Sequence, residues 1–431
     1  MPPSERWLLR DVLVGGRRVD CRLRDGRVAE LGPGLDPAEG ESSLDAAGGE
    51  LLPGLCDHHL HLRALAAGRR SVDLRGGGLA DLPAIAPGAG WLRVVGAGDE
   101  LVRSDLDAVW PDRPVRVQHR SGALWTLNSA AVARLRPGAT DEERASGQFW
   151  RAGERLRALL DLAEEVDLAA VSAELSAYGI THVTDATPDA DPAALTVAQH
   201  VLSLAAAGTG PRKIVLEDHR PPDLDRLVGA VREAHASGRG VALHAVSRVA
   251  LSVALAALDE AGSNGADRIE HAAVCDDDAA HRLAELGITV VTQPSLLARH
   301  GRRYVADSEV ADRPLLWRYA GLLRAGVRVA ISSDAPYGDV CPWAGVAAAA
   351  RRESDGVCVG ADERVDPAVA FASMLTEPAD PAGPRRSVHV GAPADLCVLA
   401  GDLASVLDRA VRGETALVRA TLVTGRLTYP A

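Results

Sequence analysis

The feature that most constrains the fold is a repeated alternation of strand and helix patterns between residues 168 and 334. Short apolar runs, typical of buried strands, alternate with segments whose apolar residues recur with helical spacing. One such helical face is formed by Leu251, Ala254, Leu255 and Leu258. Near-continuous apolar strands separated by helices predict a parallel sheet, and this many units in one chain favour a closed barrel.

The pattern gives approximate positions for the elements of this region. The predicted strands are Ile180–Thr184, Lys213–Leu216, Val241–His244, Arg268–His271, Ile288–Val291 and Val327–Ser332. The predicted helices include Thr196–Ala207 and Leu315–Ala325.

The two ends of the chain have a different pattern, with short strands separated by turns and no helical period. Each end is too small to bury a core alone, so the two are expected to form one β-sandwich. The predicted fold class is α/β, a (β/α)₈ TIM-like barrel with a small β-sandwich domain. The barrel spans residues 51–384, and the sandwich combines residues 1–50 with residues 385–431.

Composition narrows the class of protein. The chain has 431 residues, 47% apolar content and a formal charge of −12, which argue against disorder and against a general nucleic-acid or anionic-membrane binder. Its six cysteines have no paired spacing, and the N-terminus lacks a signal-peptide pattern. We therefore expect reduced thiols and a cytoplasmic protein. The expected partner is a small-molecule substrate, which the charge itself does not identify, and formation of a homo-oligomer is left open.

The segment Asp57-His58-His59-Leu60-His61 carries the strongest chemical pattern. Residues two apart on a strand point to the same face, so His59 and His61 project together and can hold a divalent cation. Alone, this pattern also fits two solvated histidines in a loop.

Further polar residues lie on the predicted barrel strands. His244, His271 and Asp334 each end an apolar strand, and the carboxyl ends of barrel strands carry catalytic residues. Lys213 lies near the start of its own strand and is the single lysine among 47 basic residues. Composition alone leaves open whether that position requires an amine or reflects a bias toward arginine. Together the six side chains predict a metal-dependent active site.

These segments resemble the amidohydrolase superfamily. The resemblance is carried by Pro53-Gly54-Leu55-Cys56-Asp57 before the two histidines, by His244-Ala245-Val246, by Arg268-Ile269-Glu270-His271, and by Ser333-Asp334-Ala335-Pro336. More narrowly, the chain is similar to the metal-dependent hydrolase branch related to N-substituted formamide deformylases. Asp105–Val115, Leu127–Ala130 and Thr292-Gln293-Pro294 add to this likeness, which spans nearly the whole chain.

The resemblance implies a role for each of the six residues. His59 and His61 would bind one metal, His244 and His271 a second, and a carboxylated Lys213 would bridge two zinc ions. Asp334 would contact a metal and the attacking water. A carboxylated lysine requires a neutral amine, which burial promotes and arginine cannot supply.

The chain departs from the branch at Ala123, where many relatives carry a histidine. If that histidine contacts the substrate carbonyl, its role is absent here or passes to Arg120, His119 or Trp125. We also expect Gln293 and Tyr337 to line the substrate pocket, with packing at the pocket rim as the alternative.

The resulting prediction is hydrolysis of an amide, formamide or cyclic amide C–N bond by a metal-activated hydroxide. Asp334 would act as general base and then as general acid. One alternative is a mononuclear deaminase of a heterocycle, in which one ion is held by His59, His61, His244 and Asp334 and Lys213 is not a ligand. A second alternative is a non-catalytic barrel.

Overall fold

The structure is a computed structural model. It describes residues 5–74, 90–98, 101–119, 122–150, 152–161, 167–217 and 223–430. Backbone contacts divide the chain into two compact units. The first unit comprises residues 1–62 and 168–431, and the second comprises residues 63–167. The segment 51–384, which the sequence predicts as one barrel domain, contains this second unit.

The first unit begins with short strands connected by turns. Their bounds are β1 Trp7–Val14, β2 Arg17–Arg24, β3 Arg27–Gly32, β4 Ser42–Asp45, β5 Leu51–Pro53 and β6 Leu55–Leu60. The strands β1 to β4 form a sheet in the order β3-β2-β1-β4, in which only the β1–β4 pair is parallel. All six residues of β6 are buried, as expected for a strand covered on both faces.

The second unit contains its own sheet and five short helices among its described residues. In chain order the elements are α1 Leu62–Arg69, β7 Val72–Asp73, β8 Leu92–Ala97, α2 Arg103–Val109, β9 Val115–His119, β10 Leu124–Leu127, α3 Ser129–Val132, α4 Asp141–Ser146, β11 Gln148–Trp150 and α5 Gly153–Leu160. The strand order is β11-β10-β9-β8-β7. The buried Asn128 side chain accepts from Val115 N and donates to the carbonyls of Trp110 and Arg113, which fixes the turn before β9.

The first unit then continues with the strand and helix succession that the periodicity predicts. The bounds are α6 Leu168–Ala177, β12 Ile180–Asp185, β13 His200–Ser203, β14 Arg212–Val215, α7 Leu224–Ala236, β15 Val241–Ala245, α8 Arg248–Ala261, β16 Arg268–His271, α9 Asp277–Glu285, β17 Thr289–Thr292, α10 Pro294–Asp307, α11 Ala320–Arg324 and β18 Arg328–Ile331. Two parallel sheets result, in the orders β13-β12-β6 and β14-β15-β16-β17-β18. This part of the chain is an α/β fold.

The helix α8 shows why helices of this region could be predicted from their capping residues and apolar spacing. The Ser247 side chain accepts from Ala250 N and caps the helix start, and Gly262 ends the helix. Its buried face repeats the predicted spacing of Leu251, Ala254 and Leu258.

Two predicted helices differ from the structure. Residues 196–207 do not form a helix; they contain the strand β13, which pairs in parallel with β12. The Ser172 hydroxyl donates to Gln199 Oε1, and Gln199 Nε2 donates to the Ser172 carbonyl. These two bonds fix Gln199, the residue before β13, against α6. The helix predicted at 315–325 is shortened to α11, because Trp317 adopts a left-handed backbone conformation with φ of 50°.

The C-terminal region completes the first unit. Its elements are α12 Pro342–Arg351, β19 Glu353–Ser354, β20 Val357–Cys358, α13 Pro367–Ala372, β21 Leu396–Leu399, α14 Leu403–Val411, β22 Val418–Val423 and β23 Arg426–Tyr429. The strands β21 to β23 form a sheet with β5, in the order β23-β22-β21-β5. Apolar residues from both chain ends share one core, which includes Leu9, Val12, Leu396 and Leu422.

All six cysteines lie in the described residues and are free thiols. Within the described part of the chain, the structure contains no helix with the length and apolar character needed to cross a membrane.

Candidate metal centre

The parallel strands of the first unit carry polar side chains at their carboxyl ends. His59 lies on β6, His244 lies near the end of β15, and His271 is the last residue of β16. Asp334 follows β18, and Lys213 lies on β14. Because parallel strands end at a common edge of a sheet, this topology brings residues that are distant in sequence close together.

The backbone fixes the segment after β18 against β6. The Asp334 amide donates to the His59 carbonyl at 2.8 Å, and the His61 amide donates to the Ala335 carbonyl at 2.9 Å. Asp57 adds side-chain contacts, since its carboxylate accepts from Ser333 N at 3.1 Å and from Ser333 Oγ. Burial raises the pKa of Asp57 to about 6.

His59, His61 and Asp334 converge as a result. Asp334 Oδ1 lies 3.5 Å from His59 Nε2 and 3.4 Å from His61 Nε2. One ligand atom from each of the three residues falls within 4.8 Å of the other two. This is the compact grouping of imidazole and carboxylate donors that a divalent ion needs.

The remaining predicted ligands, His244, His271 and Lys213, lie beside this group. The ring centroids of His59 and His271 are 5.1 Å apart, and those of His271 and His244 are 4.5 Å apart. Lys213 Nζ lies 3.2 Å from His59 Nε2 and donates to it. The structure therefore brings all six residues of the predicted ligand set into one neighbourhood.

His59 is held from behind by a buried ion pair. Its Nδ1 hydrogen-bonds the Glu270 carboxylate, which also pairs with the Arg268 guanidinium. Since a carboxylate accepts, Nδ1 carries the hydrogen and Nε2 presents a lone pair toward Asp334 and Lys213. Burial, followed by the nearby charge of Lys213, lowers the pKa of His59 well below its ordinary value.

Gln293 supports His271 in a similar way. Its amide nitrogen donates to Val291 O at 3.0 Å and to Ser332 Oγ at 2.9 Å, so its oxygen faces His271 Nδ1 at 2.7 Å. His271 Nδ1 is then the donor, and Nε2 is left with a lone pair. Gln293, which we expected to contact substrate, is fully buried behind His271, because its polar atoms are engaged inside the protein.

Lys213 is buried at the centre of this arrangement. Burial lowers the pKa of its amine, and the carboxylates of Glu270 and Asp334 partly oppose that shift. A lowered pKa favours the neutral amine, which is the form that can react with carbon dioxide or donate a lone pair.

The fit of these residues to a metal can be tested on one buried atom. Asp334 Oδ1 is inaccessible to solvent and has no hydrogen-bond partner among the residues that the structure describes. It faces His61 Nε2 and also His59 Nε2, which presents a lone pair, so this carboxylate oxygen meets another acceptor. A cation between them would satisfy all three atoms, and the donor set therefore fits a divalent metal.

Backbone strain is concentrated near the same residues. His271, Trp317 and Asp334 have positive φ values of 75°, 50° and 51°, which non-glycine residues rarely adopt. The Trp317 ring makes an edge contact with His271 at a centroid distance of 6.3 Å. The buried Arg352 guanidinium donates to the carbonyls of Leu316 and Trp317 and holds this conformation. Such strain is typical of functional sites.

The other predicted substrate contacts have different positions. The half-buried Tyr337 makes an edge contact with His61 at 5.8 Å between ring centroids. Trp125 belongs to the core of the second unit, where the guanidinium groups of Arg93 and Arg116 lie over its ring. Arg120 lies outside the described residues. The substrate roles of Trp125 and Arg120 stay predictions.

Sequence reasoning missed Glu270 as a functional residue. A carboxylate inside an apolar strand, one residue before a candidate metal ligand, was the available signal. Burying a carboxylate without a partner is costly, so its presence implied a cationic or hydrogen-donating neighbour.

A second histidine and carboxylate group, formed by His182, His200 and Asp395, lies elsewhere in the first unit. Arg386 donates to His182 Nδ1 at 3.0 Å, and His200 Nε2 pairs with Asp395 at 2.8 Å. His182 Nε2 therefore carries the hydrogen of the neutral ring, and a guanidinium already supplies positive charge. These residues do not fit a metal ion.

The α/β scaffold with a histidine, lysine and carboxylate cluster at its strand ends defines a metal-dependent hydrolase. Comparison with known proteins agrees, since the model of the amidohydrolase family matches residues 43–429. The chain belongs to the amidohydrolase family. It is a hydrolase of carbon–nitrogen bonds other than peptide bonds.

Individual relatives show how broad this family is. The chain is 25% identical to an N-substituted formamide deformylase of Arthrobacter pascens, over 91% of this chain and 94% of that protein. It is 31% identical to an imidazolonepropionase of Halobacterium salinarum, over 72% of this chain and 69% of that protein. A metal-dependent hydrolase structure from Pyrococcus horikoshii superposes with a TM-score of 0.72 at 18% identity, over 96% of this chain and 99% of that one.

Proposed function

We propose that this protein hydrolyses an amide, formamide or cyclic amide bond of a small molecule at the centre formed by the six residues. The observation that carries the proposal is the buried, unpartnered Asp334 Oδ1, which faces His59 and His61 within the described structure. The similarity to a formamide deformylase supports the choice of bond.

We further propose a binuclear zinc centre. His59 and His61 would hold one ion, His244 and His271 the other, and a carboxylated Lys213 would bridge them. Carboxylation joins the neutral amine to carbon dioxide and releases one proton, and the lowered pKa of Lys213 favours that reaction. When bound, the metal ions would polarise the substrate carbonyl and lower the pKa of water.

Asp334 is the proposed proton carrier. It takes a proton from the attacking water and later gives it to the leaving nitrogen, so that the carboxylate is regenerated in each cycle. Its backbone position is fixed by the hydrogen bond to the His59 carbonyl. A group with this task must be held within hydrogen-bond reach of both oxygen and nitrogen, which a fixed loop provides. The ring of Tyr337, beside His61, is the proposed wall of the substrate pocket.

We also propose a closed barrel and a β-sandwich as the two parts of the fold. Eight described strands, β6 and β12 to β18, would close into a barrel over residues 51–384. Two backbone hydrogen bonds support closure at its two joints, from Lys213 N to Leu204 O at 2.9 Å and from Asp334 N to His59 O at 2.8 Å. The core shared by the chain ends supports a β-sandwich made of residues 1–50 and 385–431.

A mononuclear deaminase is a second candidate, because a specific observation favours it. Beside the His182 group, which does not fit a metal, His59, His61 and Asp334 are the described residues that place ligand atoms within 4.8 Å of one another, a grouping compact enough for a single ion that His244 would complete. In this version Lys213 would donate a hydrogen bond and would not be a ligand. The similarity to an imidazolonepropionase, named for a heterocyclic compound, is compatible with it.

Two measurements on purified protein separate these candidates. Elemental analysis should give two zinc ions per chain, and a panel of amides, formamides, lactams and amino-heterocycles should show turnover on the first three classes. One ion per chain with release of ammonia from a heterocycle would establish the deaminase. Turnover on none of the classes by a fully metal-loaded protein would count against both.

The charge of the chain bears on its partners and location in the cell. We propose a cytoplasmic enzyme that acts on a small molecule and does not bind nucleic acid or membranes, given its charge of −12.

A further inference from the structure

The strand β12 ends beside the metal centre, and its last residue, Asp185, is linked to His61. His61 Nδ1 lies 3.2 Å from Thr187 Oγ1, and Thr187 Oγ1 lies 3.3 Å from Asp185 Oδ1. Asp185 Oδ1 also accepts from Leu62 N at 2.9 Å. These three contacts form one continuous chain of hydrogen bonds that ends on a candidate metal ligand.

The Leu62 amide fixes which group donates in each of these hydrogen bonds. Asp185 Oδ1 accepts the Leu62 amide, so it is an acceptor, and the Thr187 hydroxyl hydrogen points toward it. Thr187 Oγ1 is then left with lone pairs for His61, which makes His61 Nδ1 the donor. His61 Nε2 consequently presents its lone pair toward Asp334 Oδ1, at 3.4 Å.

His61 has more need of such a restraint than His59. The His61 side chain is 18% exposed, whereas the His59 side chain is fully buried and paired with Glu270. Asp185 itself is 1% exposed, and its Oδ2 has no hydrogen-bond partner among the described residues. Burial of an unpartnered carboxylate oxygen costs free energy, so packing alone does not account for Asp185 at this position.

We propose that Thr187 and Asp185 are positioning residues that fix the tautomer and ring orientation of His61 for metal binding. This inference rests on the proposed function, because it assigns their role to the same metal centre. Residues of this kind act through the ligand they hold, and losing one typically lowers metal affinity or activity about 10 to 100-fold.

The test compares three variants by Zn²⁺ affinity, measured in competition with a chelating dye. Thr187→Val removes the hydroxyl and keeps the shape, and it should bind Zn²⁺ about 10 to 100-fold more weakly. Thr187→Ser keeps the hydroxyl and should restore binding close to that of the wild type. Thr184→Val is the matched control, because Thr184 is buried on β12, three residues before Thr187, and its hydroxyl has no partner in the described structure.

A merely structural role predicts a different result. In that case Thr187→Val would lower the Tm of the metal-free protein and leave Zn²⁺ affinity unchanged, whereas Thr184→Val should lower neither. Equal Zn²⁺ affinity of Thr187→Val and wild type would overturn the inference while leaving the proposed function intact. A wild type that binds no divalent ion would overturn both. Thr187→Ala serves as the hydroxyl-free variant if the valine side chain is not accommodated.

Discussion

Lys213 is the residue at which the two candidate centres differ most. We expect Lys213→Arg to lose activity although the positive charge is retained, because a guanidinium cannot form the carbamate. The variant should also lose metal, since the bridging group is absent. The measurement is zinc content per chain together with turnover on the best amide of the panel.

Lys213 is buried, so the larger arginine side chain could also disrupt the site sterically. The control must therefore separate loss of the carbamate from a steric effect. Lys213→Glu supplies a carboxylate at the same position and should retain more metal than Lys213→Met, which supplies none. Normal metal content and turnover in Lys213→Arg would exclude the lysine from the ligand set and favour the mononuclear centre.

Asp334 separates proton transfer from metal binding. Asp334→Asn keeps the side-chain shape and leaves the four histidines and Lys213 in place, so the fold and most of the metal should remain. An amide cannot accept the proton of the attacking water, and turnover should fall about 10² to 10⁴-fold. Asp339→Asn is the control, because Asp339 is an exposed carboxylate five residues further along the same segment.

The outcome of the Asp334 experiment assigns its role. Near-normal turnover would refute Asp334 as the proton carrier. Loss of both metal and activity would show that Asp334 acts chiefly as a ligand.

The sequence could predict ligands better than their supports. His59 and His61 share a strand face, and His244, His271 and Asp334 follow apolar strands, so periodicity alone placed them at one edge. Thr187 carries no such pattern, and Glu270 inside an apolar strand implied a partner without identifying it. Their roles depend on which side chain lies opposite them in space, and a single sequence does not contain that information.

At the scale of elements, the strands β12 and β13 are joined to the C-terminal segment by charged side chains. Arg386 donates to His182 and to the Gly54 carbonyl, and Asp395 pairs with His200. The rings of His182 and His200 stack at 4.7 Å. Burial, followed by the charge of Arg386, lowers the pKa of His182 to about 3.

This lowered pKa makes the joint sensitive to acid. The unfolded chain protonates His182 near its ordinary pKa of 6.5, while the folded protein keeps it neutral. The contribution of His182 to stability is therefore fully present above pH 6.5 and is lost as pH falls toward 3. Between pH 7 and pH 5 the loss amounts to about 2 kcal/mol.

The measurement is the difference in unfolding free energy between wild type and His182→Gln, taken by urea titration at both pH values. The pKa of His200 is raised by its hydrogen bond to Asp395, so its contribution has the opposite sign, but His200 is present in both proteins. We expect the advantage of wild type over His182→Gln to shrink at pH 5. The exposed His389 provides the control, His389→Gln; a difference that is unchanged with pH in His182→Gln would contradict the account.

Elements could be predicted where local and tertiary preferences agree. The helix α8 combines a serine cap, an apolar face and a terminal glycine, and each signal lies within the helix itself. Residues 196–207 are rich in alanine and leucine, which favour a helix locally, yet β13 forms there because it pairs with β12. Pairing between distant segments overrides local propensity in a way that the sequence pattern does not show.

At the scale of the whole molecule, the α/β class was accessible because it depends only on the repeated order of strands and helices. The second unit was not, since its strands β7 and β11 contain two and three residues and are too short to give a periodic signal. The buried core consists mainly of Ala, Val and Leu side chains, and their burial stabilises the fold without a metal ion.

This independence leads to the prediction for metal removal. The centre lies at the ends of the parallel strands, and the apolar core shared by the two chain ends contains none of its six residues, so a chelator should abolish turnover without unfolding the chain. Binding of metal to the folded state adds stability by mass action, about 4 kcal/mol at a thousandfold excess over Kd, so the metal-free protein should have a lower Tm. Circular dichroism before and after dialysis against chelator should give the same spectrum, a single cooperative transition and full recovery of activity when zinc is returned. A metal-free protein without helical signal or cooperative unfolding would instead show that the metal ions are required for the fold.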